Sequence, residues 1–110
     1  MTIDHNSIPK SIEIFGRTVE VIDDTPNLNV SRDYGQARYG CNQIALSNKV
    51  NNGNITEEEK KLTFIHEMFH FILNFTGYES IIREGGKIEL EQFIELLSAG
   101  IYQYEKSALY

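Results

Sequence analysis

The chain has 110 residues, of which 16 are acidic, 10 are basic and 41% are hydrophobic, and its net charge is −6. This length supports one hydrophobic core, so we expect a single domain over residues 1–110 with a flexible N-terminus over residues 1–10. The acidic balance argues against nonspecific binding to nucleic acid or to an anionic membrane, because both attract basic proteins.

Targeting and redox features point to the cytoplasm. Cys41 is the single cysteine, so no internal disulfide can form, which is typical of a reducing compartment. The N-terminal MTIDHNSIPKS lacks the apolar segment of a signal peptide. The sequence also lacks the run of about 18 apolar residues that a membrane span requires. We therefore expect a cytoplasmic protein without a membrane anchor.

The N-terminal half has strand patterns. Residues 12–22 alternate apolar and polar around Gly16-Arg17, which predicts a β-hairpin with one apolar face. The residues expected on that face are Ile12, Ile14, Val19 and Val21.

Turn residues divide the next segment. Pro26 and the surrounding TPNLN are expected to end regular structure. A second strand pair, over residues 36–39 and 43–47, flanks a predicted tight turn at residues 40–42. Together with the first hairpin, these strands predict a small, mostly antiparallel sheet.

A long helix follows the predicted loop at residues 51–54. Thr56 is its expected N-cap, with Glu59 completing a capping box, and Gly77 is its expected stop signal. The predicted helix covers residues 57–76.

After a loop containing Gly85-Gly86, a second helix is predicted from Lys87 to Tyr104. Its expected apolar face consists of Leu90, Phe93, Ile94, Leu97, Ile101 and Tyr104. The predicted fold class is α+β: a small antiparallel sheet packed on a central helix and a second, C-terminal helix.

The central helix contains the stretch FIHEMFHFIL, in which polar side chains interrupt an apolar run. Its apolar residues cover most of the helix circumference, which indicates burial on most sides. The remaining polar arc must therefore face a partner, a cleft or a metal ion. This arc consists of Thr63, His66, Glu67, His70 and Asn74.

His66 and His70 are four residues apart, so their imidazoles lie one turn apart on one face and can converge on one ion. With Glu67 on the adjacent edge, this is the HExxH pattern, which places two zinc ligands beside a carboxylate that can accept a proton from water. The alternative is that both are core histidines satisfied by neighbouring groups.

A catalytic zinc requires a third protein ligand, and no histidine follows His70. Glu89, Glu91 and Glu95 on the second helix compete for this role. Glu91 is the preferred candidate because it lies at the border of the predicted apolar face, and Glu95 is the second choice. In the alternative interpretation, all three are surface acids.

The order of these segments, with QIALSN before TFIHEMFHFIL and LEQFIELLSAGIYQ after it, resembles the small gluzincin-type metallopeptidases of the ImmA/IrrE-like group, especially short phage-encoded members. The resemblance covers roughly residues 12–104. It implies a minimal zincin-like fold and a zinc ion held by His66, His70 and Glu91, with Glu67 as the general base of peptide-bond hydrolysis. It also implies an edge strand, at residues 43–47, that pairs with an extended peptide or protein substrate.

The sequence also offers candidates for further roles at the expected site. Donors to the oxyanion that forms during hydrolysis could come from Tyr39, Arg38, Tyr78 or Tyr102, and the sequence does not choose among them. Asn74 is interpreted as a polar residue near the helix end rather than as support for His70. Cys41 is interpreted as a passive thiol rather than a zinc ligand.

Two other functions are consistent with the sequence. The first is a catalytically silent zinc-binding module that engages a protein, for which we expect a closed site with four ligands. The second is a metal-free helical interaction domain. The retention of Glu67, which a purely structural zinc site does not need, favours the enzyme.

Overall fold

The structure is a computed structural model that describes residues 6–85 and 89–107. These residues form an α+β fold with a small mixed sheet, a separate two-stranded hairpin and four α-helices. The strands are β1 (Ser11–Ile14), β2 (Arg17–Asp23), β3 (Gly35–Arg38), β4 (Gln43–Leu46), β5 (Lys49–Val50) and β6 (Gly53–Asn54), and the helices are α1 (Thr25–Ser31), α2 (Glu57–Thr76), α3 (Tyr78–Gly85) and α4 (Leu90–Ser107).

The first predicted hairpin is confirmed, with β1 antiparallel to β2 and Ile12 opposite Val19. Its turn is Phe15-Gly16 rather than the predicted Gly16-Arg17, because both turn residues have positive φ (51° and 79°), as a two-residue hairpin turn requires. The predicted apolar face is also confirmed. Ile14 and Val19 are buried in the core, and Ile12 and Val21 pack against it.

The four-stranded sheet is mixed: two of its three strand pairs are antiparallel, as expected for a mostly antiparallel sheet, and one parallel pair corrects the prediction of a fully antiparallel sheet. Its strand order is β1-β2-β4-β3, and the central pair β2–β4 is parallel. The predicted second strand pair is confirmed as β3 antiparallel to β4. The chain passes from β2 through α1 to an outer position, and β4 then enters between β2 and β3. This order depends on long-range pairing, which local alternation does not encode.

The segment around Pro26 is helical, which corrects the prediction that it ends regular structure. Proline in the first turn of a helix loses no intrahelical hydrogen bond, and Pro26 occupies this position in α1. Leu28 anchors the helix because its side chain is fully buried.

Residues 51–54 were predicted to be a loop but belong to the small β5–β6 hairpin. Its turn is formed by Asn51 and Asn52, with φ of 49° and 67°. Asparagine adopts this left-handed conformation more readily than most residues do, so it serves where glycine would otherwise be needed.

The central helix α2 is confirmed over Glu57–Thr76. The Thr56 hydroxyl accepts a hydrogen bond from the backbone of Glu59 at 3.1 Å, and the Glu59 carboxylate accepts one from the backbone of Thr56 at 3.1 Å. Gly77 ends the helix in the left-handed conformation with φ of 80°. The local capping rules therefore predicted both ends of this helix correctly.

The segment after Gly77, predicted as a loop, contains the helix α3. Gly86 and Lys87, expected in the loop and at the start of the second helix, lie outside the described residues. Helix α4 begins at Leu90 and ends at Ser107 rather than at the predicted Tyr104. The Glu89 carboxylate accepts a hydrogen bond from the backbone of Gln92 at 2.7 Å and thereby caps the first turn of α4.

The predicted apolar face of α4 is confirmed in part: Leu90 and Ile94 are buried and Phe93 and Leu97 are half-buried, whereas Ile101 and Tyr104 are 38% and 68% exposed. The fully buried side chains form the i, i+4 row of Leu90, Ile94, Ser98 and Tyr102. Because Ser98 and Tyr102 occupy this row, apolar periodicity alone misplaced part of the face. The observed orientation directs the neighbouring row, Glu91 and Glu95, toward α2.

Part of the N-terminal segment predicted to be flexible contacts the core. Asn6 accepts a hydrogen bond from the Tyr102 hydroxyl at 2.8 Å, and the Ser7 carbonyl accepts one from Lys61 at 2.8 Å. Ile8 packs against the hydrophobic core. Residues 1–5 lie outside the part of the chain that the structure describes.

The core lies between one face of the sheet and α2. Its buried members are Ile14, Val19, Ile44, Leu46, Phe64, Ile65, Phe71 and Tyr102. Among the described helices, none is long and apolar enough to cross a membrane. The close approach of β3 to α2 at Gly35 places the edge of the sheet beside the polar arc of α2.

Replacing Gly35 by alanine is expected to lower the free energy of unfolding by about 1–3 kcal/mol. A Cβ atom at this position would lie 2.6 Å from Cγ2 of Thr63 and 3.0 Å from the carbonyl oxygen of Ala45, so β3 and α2 would have to separate. Urea unfolding measures the change. Gly40→Ala is the matched control, because a Cβ atom there meets nothing within 4 Å. Equal stability of the two variants would contradict the close packing.

Candidate metal centre

The polar arc of α2 faces a cleft, as predicted from its wide apolar surface. The cleft has a volume of about 680 Å³ and lies between α2, β3 and α4. Its lining residues are Tyr34, Gly35, Gln36, Ala37, Leu62, Thr63, His66, Glu67, His70, Glu91, Glu95, Ser98 and Ala99. The exception in the predicted arc is Asn74, which is exposed near the end of the helix and does not line the cleft.

His66, His70 and Glu91 converge at one point of this cleft. Nε2 of His66 lies 2.9 Å from one carboxylate oxygen of Glu91, and Nε2 of His70 lies 3.0 Å from the other. One ligand atom from each residue can be chosen so that all three lie within 4.8 Å of one another. Helix α2 supplies the two imidazoles from consecutive turns, and α4 brings the carboxylate from the opposite wall.

The three glutamates that competed for the third position have different environments. Glu91 contacts both imidazoles, whereas Glu95 lines the cleft without belonging to the cluster. Glu89 bonds to the backbone of Gln92 and Glu91 and caps α4. The structure therefore brings Glu91 to the histidines. This arrangement depends on which face of α4 is buried, because that face sets the direction of Glu91.

The donor set fits a divalent metal ion. Two imidazole nitrogens and one carboxylate oxygen are the protein ligands found in many catalytic zinc sites, which leave a fourth position open. The Glu91 side chain is 50% exposed and that of His70 is 9% exposed, so the cluster has a buried side and an open side. Nδ1 of His70 is buried and has no hydrogen-bond partner within residues 6–85 and 89–107. A histidine that binds a metal through one ring nitrogen usually donates its other N–H to an acceptor, and a carboxylate oxygen of Glu79 lies 3.7 Å from this nitrogen.

Glu67 is buried beside this cluster and is 6% exposed. Burial, with smaller contributions from the negative charges of Glu91 and Asp33, raises the pKa of its carboxyl group from 4.5 to about 7. A carboxyl group with a pKa near neutrality exchanges protons readily at physiological pH. Its environment therefore suits a group that accepts and returns a proton in each turnover.

Glu67→Gln is expected to stabilise the metal-free protein at pH 8 by about 2–3 kcal/mol and to have little effect at pH 5. The folded pKa of about 7 exceeds the unfolded value of 4.5, so the folded state binds more protons between these values. Wild-type stability therefore falls as pH rises through this window, and glutamine removes the loss. Urea unfolding in chelator at both pH values measures the difference. The control is Glu13→Gln, at an exposed position on β1; a pH-independent effect of Glu67→Gln would contradict the assignment.

The first two candidate oxyanion donors have partners outside the cleft. The Tyr39 hydroxyl donates a hydrogen bond to Glu79 at 2.9 Å. The Arg38 guanidinium forms a salt bridge with Asp24 at 2.6 Å. Neither side chain lines the cleft, so the structure does not bring them to the histidine cluster.

The other two candidates also lie elsewhere, and the structure adds a tyrosine that the sequence analysis missed. Tyr102 donates a hydrogen bond to Asn6, and Tyr78 is 57% exposed outside the cleft. Tyr34 is 48% exposed and lines the cleft from the segment between α1 and β3. No motif marks Tyr34, because only the path of α1 and β3 brings it to this wall.

Cys41 lies outside the cleft. It is exposed, and its thiol donates a weak hydrogen bond to the Gln43 side chain at 3.3 Å. It does not belong to the His66–His70–Glu91 group. Its position agrees with the interpretation of a thiol without a role at the cluster.

Comparisons with protein families, curated proteins and solved structures find no significant match to this chain. The geometry and chemistry of the cleft therefore carry the functional argument. The central observation is one carboxylate that joins two imidazoles from consecutive helical turns, beside a second, buried carboxyl group.

Proposed function

We propose that the protein is a zinc-dependent metallopeptidase of the gluzincin type that hydrolyses peptide bonds in the cleft between α2, β3 and α4. The observation that supports this most directly is the convergence of His66, His70 and Glu91 next to the buried Glu67. The α+β arrangement of a sheet packed on the HExxH helix supports the further proposal of a minimal zincin-like fold.

His66, His70 and Glu91 would hold the metal ion. Bound zinc would supply Lewis acidity, which polarises the scissile carbonyl and makes a water molecule acidic enough to act near neutral pH. The exposed side of the carboxylate leaves the cluster accessible from the cleft, where a substrate would enter.

Glu67 would act as the general base. Its carboxylate takes a proton from the attacking water and returns that proton to the nitrogen of the leaving amine, so it ends each turnover unchanged. Its pKa of about 7 in the metal-free protein is near neutrality, and a cation bound beside it would favour the ionised form that accepts the proton. Tyr34 is the tyrosine that lines the cleft and is our candidate donor to the oxyanion.

The edge strand β3 would hold the substrate backbone. The strand expected from the resemblance, residues 43–47, is corrected here, because β4 is paired on both sides by β2 and β3. Strand β3 pairs with β4 and lies at the sheet edge among the described strands, and it lines the cleft through Gly35, Gln36 and Ala37. An extended peptide can add to such an edge through main-chain hydrogen bonds.

Zinc-dependent cleavage of a mixed peptide library tests this function. The protein loaded with Zn²⁺ is expected to cleave peptides, to lose activity after dialysis against a chelator and to regain it when Zn²⁺ is restored. Product analysis by mass spectrometry gives the cleavage positions. Activity that survives complete removal of zinc would contradict the proposal.

A catalytically silent zinc-binding interaction module is the second candidate. It is favoured by one observation: Tyr39, Arg38, Tyr78 and Tyr102, the donors expected from the sequence, all lie outside the cleft. A protein that binds one equivalent of zinc tightly but cleaves no peptide or protein presented to it would support this candidate over the enzyme.

A further inference from the structure

Glu79, on helix α3, is the centre of a polar network behind the metal cluster. Its carboxylate accepts a hydrogen bond from the Tyr39 hydroxyl at 2.9 Å and one from Arg83 at 3.3 Å. One of its oxygens lies 3.7 Å from Nδ1 of His70. The Glu79 side chain is 13% exposed, so these contacts replace most of the water around its charge.

If His70 binds a metal through Nε2, its Nδ1–H needs a hydrogen-bond acceptor, and this carboxylate is nearby. The cleft side of the imidazole presents Nε2 to Glu91, and Nδ1 points to the opposite side, where it is buried without a hydrogen-bond partner in the described part of the chain. A neutral histidine that binds a metal through Nε2 carries its proton on Nδ1. The carboxylate of Glu79 is an acceptor on that side, about half an ångström beyond ordinary hydrogen-bond length.

We infer that Glu79 is a positioning residue of the metal site, which fixes the tautomer and the ring orientation of His70 by accepting a hydrogen bond from its Nδ1–H when the metal is bound. This inference rests on the proposed role of His70 as a metal ligand. A carboxylate that accepts a hydrogen bond from a ligating imidazole increases the basicity of the metal-binding nitrogen and restricts rotation of the ring.

The neighbours of Glu79 keep its carboxylate oriented. The Tyr39 ring packs edge-on against Phe71 on α2, with 5.2 Å between ring centroids, which holds the hydroxyl in place. Burial and the adjacent Glu79 charge raise the pKa of the Tyr39 phenol, so it remains a proton donor. Arg83, one turn along α3, adds a positive charge at the other carboxylate oxygen.

Zinc affinity of Glu79 variants tests the inference. With affinity measured by competition against a chromophoric chelator, Glu79→Ala is expected to weaken Zn²⁺ binding by about 10–100-fold, and Glu79→Gln by less. Glu84→Ala is the matched control, because Glu84 is an exposed glutamate on the same helix, and we expect no change in affinity. Circular dichroism establishes that each variant is folded under the conditions of the titration.

A second readout separates positioning from a structural role. Long-range ¹H–¹⁵N spectra of the zinc-loaded wild type are expected to show His70 protonated at Nδ1, with slow exchange of that proton. In Glu79→Ala the exchange should accelerate. If Glu79→Ala does not fold, Glu79→Gln provides both measurements.

The outcomes distinguish this inference from the proposed function. Unchanged zinc affinity in a folded Glu79 variant, with the Nδ1 proton still slow to exchange, would overturn the positioning role while leaving the metal site intact. Failure of the wild-type protein to bind Zn²⁺ would overturn both.

Discussion

Replacement of His70 by alanine is expected to lower the affinity of the protein for Zn²⁺ by about a thousandfold, equivalent to about 4 kcal/mol. The imidazole is one of three groups whose ligand atoms lie within 4.8 Å of one another, and alanine leaves two. A site with two protein ligands does not hold zinc in the four-coordinate geometry that the ion prefers. The remaining Glu91 carboxylate would then face His66 alone.

Elemental analysis and calorimetric titration measure this loss. His66→Ala is expected to behave like His70→Ala, whereas Asn74→Ala is the matched control on the same helix, because Asn74 is exposed outside the cleft. Glu91→Gln and Glu95→Gln form a second pair, in which only the first should weaken binding. Retention of one zinc per chain by His70→Ala and Glu91→Gln would contradict the proposed ligand set.

Glu67→Gln is expected to lower the rate of peptide hydrolysis by about 10²–10⁴-fold while zinc affinity changes by no more than a few-fold. Glutamine has nearly the same shape as glutamate but cannot accept the proton from water. Glu67 is not a member of the His66–His70–Glu91 group, so metal binding should persist. The variant therefore separates catalysis from zinc binding.

The measurement uses the cleavage products found with the zinc-loaded wild type, followed under single-turnover conditions with both proteins at equal zinc occupancy. Glu95→Gln is the control, because Glu95 lines the same cleft but is exposed and outside the metal cluster. Equal rates for wild type and Glu67→Gln would show that another group moves the proton and would remove Glu67 from the mechanism.

Local interactions explain why parts of this fold were predictable. The ends of α2 follow from the side chains of Thr56 and Glu59 and from the backbone freedom of Gly77, which act within one helical turn. The spacing of His66 and His70 likewise places both imidazoles on one face of α2 without any contribution from the rest of the chain.

Two helices depart from the expectations that their local sequences raise. Pro26 was treated as a helix breaker, yet in the first turn of α1 it is compatible with the helix. The buried row of α4 includes Ser98 and Tyr102, which are polar. Apolar periodicity alone therefore does not identify the buried face of this helix. Each departure concerns a residue whose effect depends on its exact position within the helix.

By itself, the sequence determined the helix α2, its caps and the polar arc that contains His66, Glu67 and His70, because the interactions that define them span four residues or fewer. Only the tertiary structure decided that Glu91 meets the imidazoles, that β3 rather than β4 forms the edge, and that Glu79 approaches His70. These contacts join segments that are distant in sequence or separated by a turn. Their geometry follows from strand order and helix rotation, which are set by packing of the whole core.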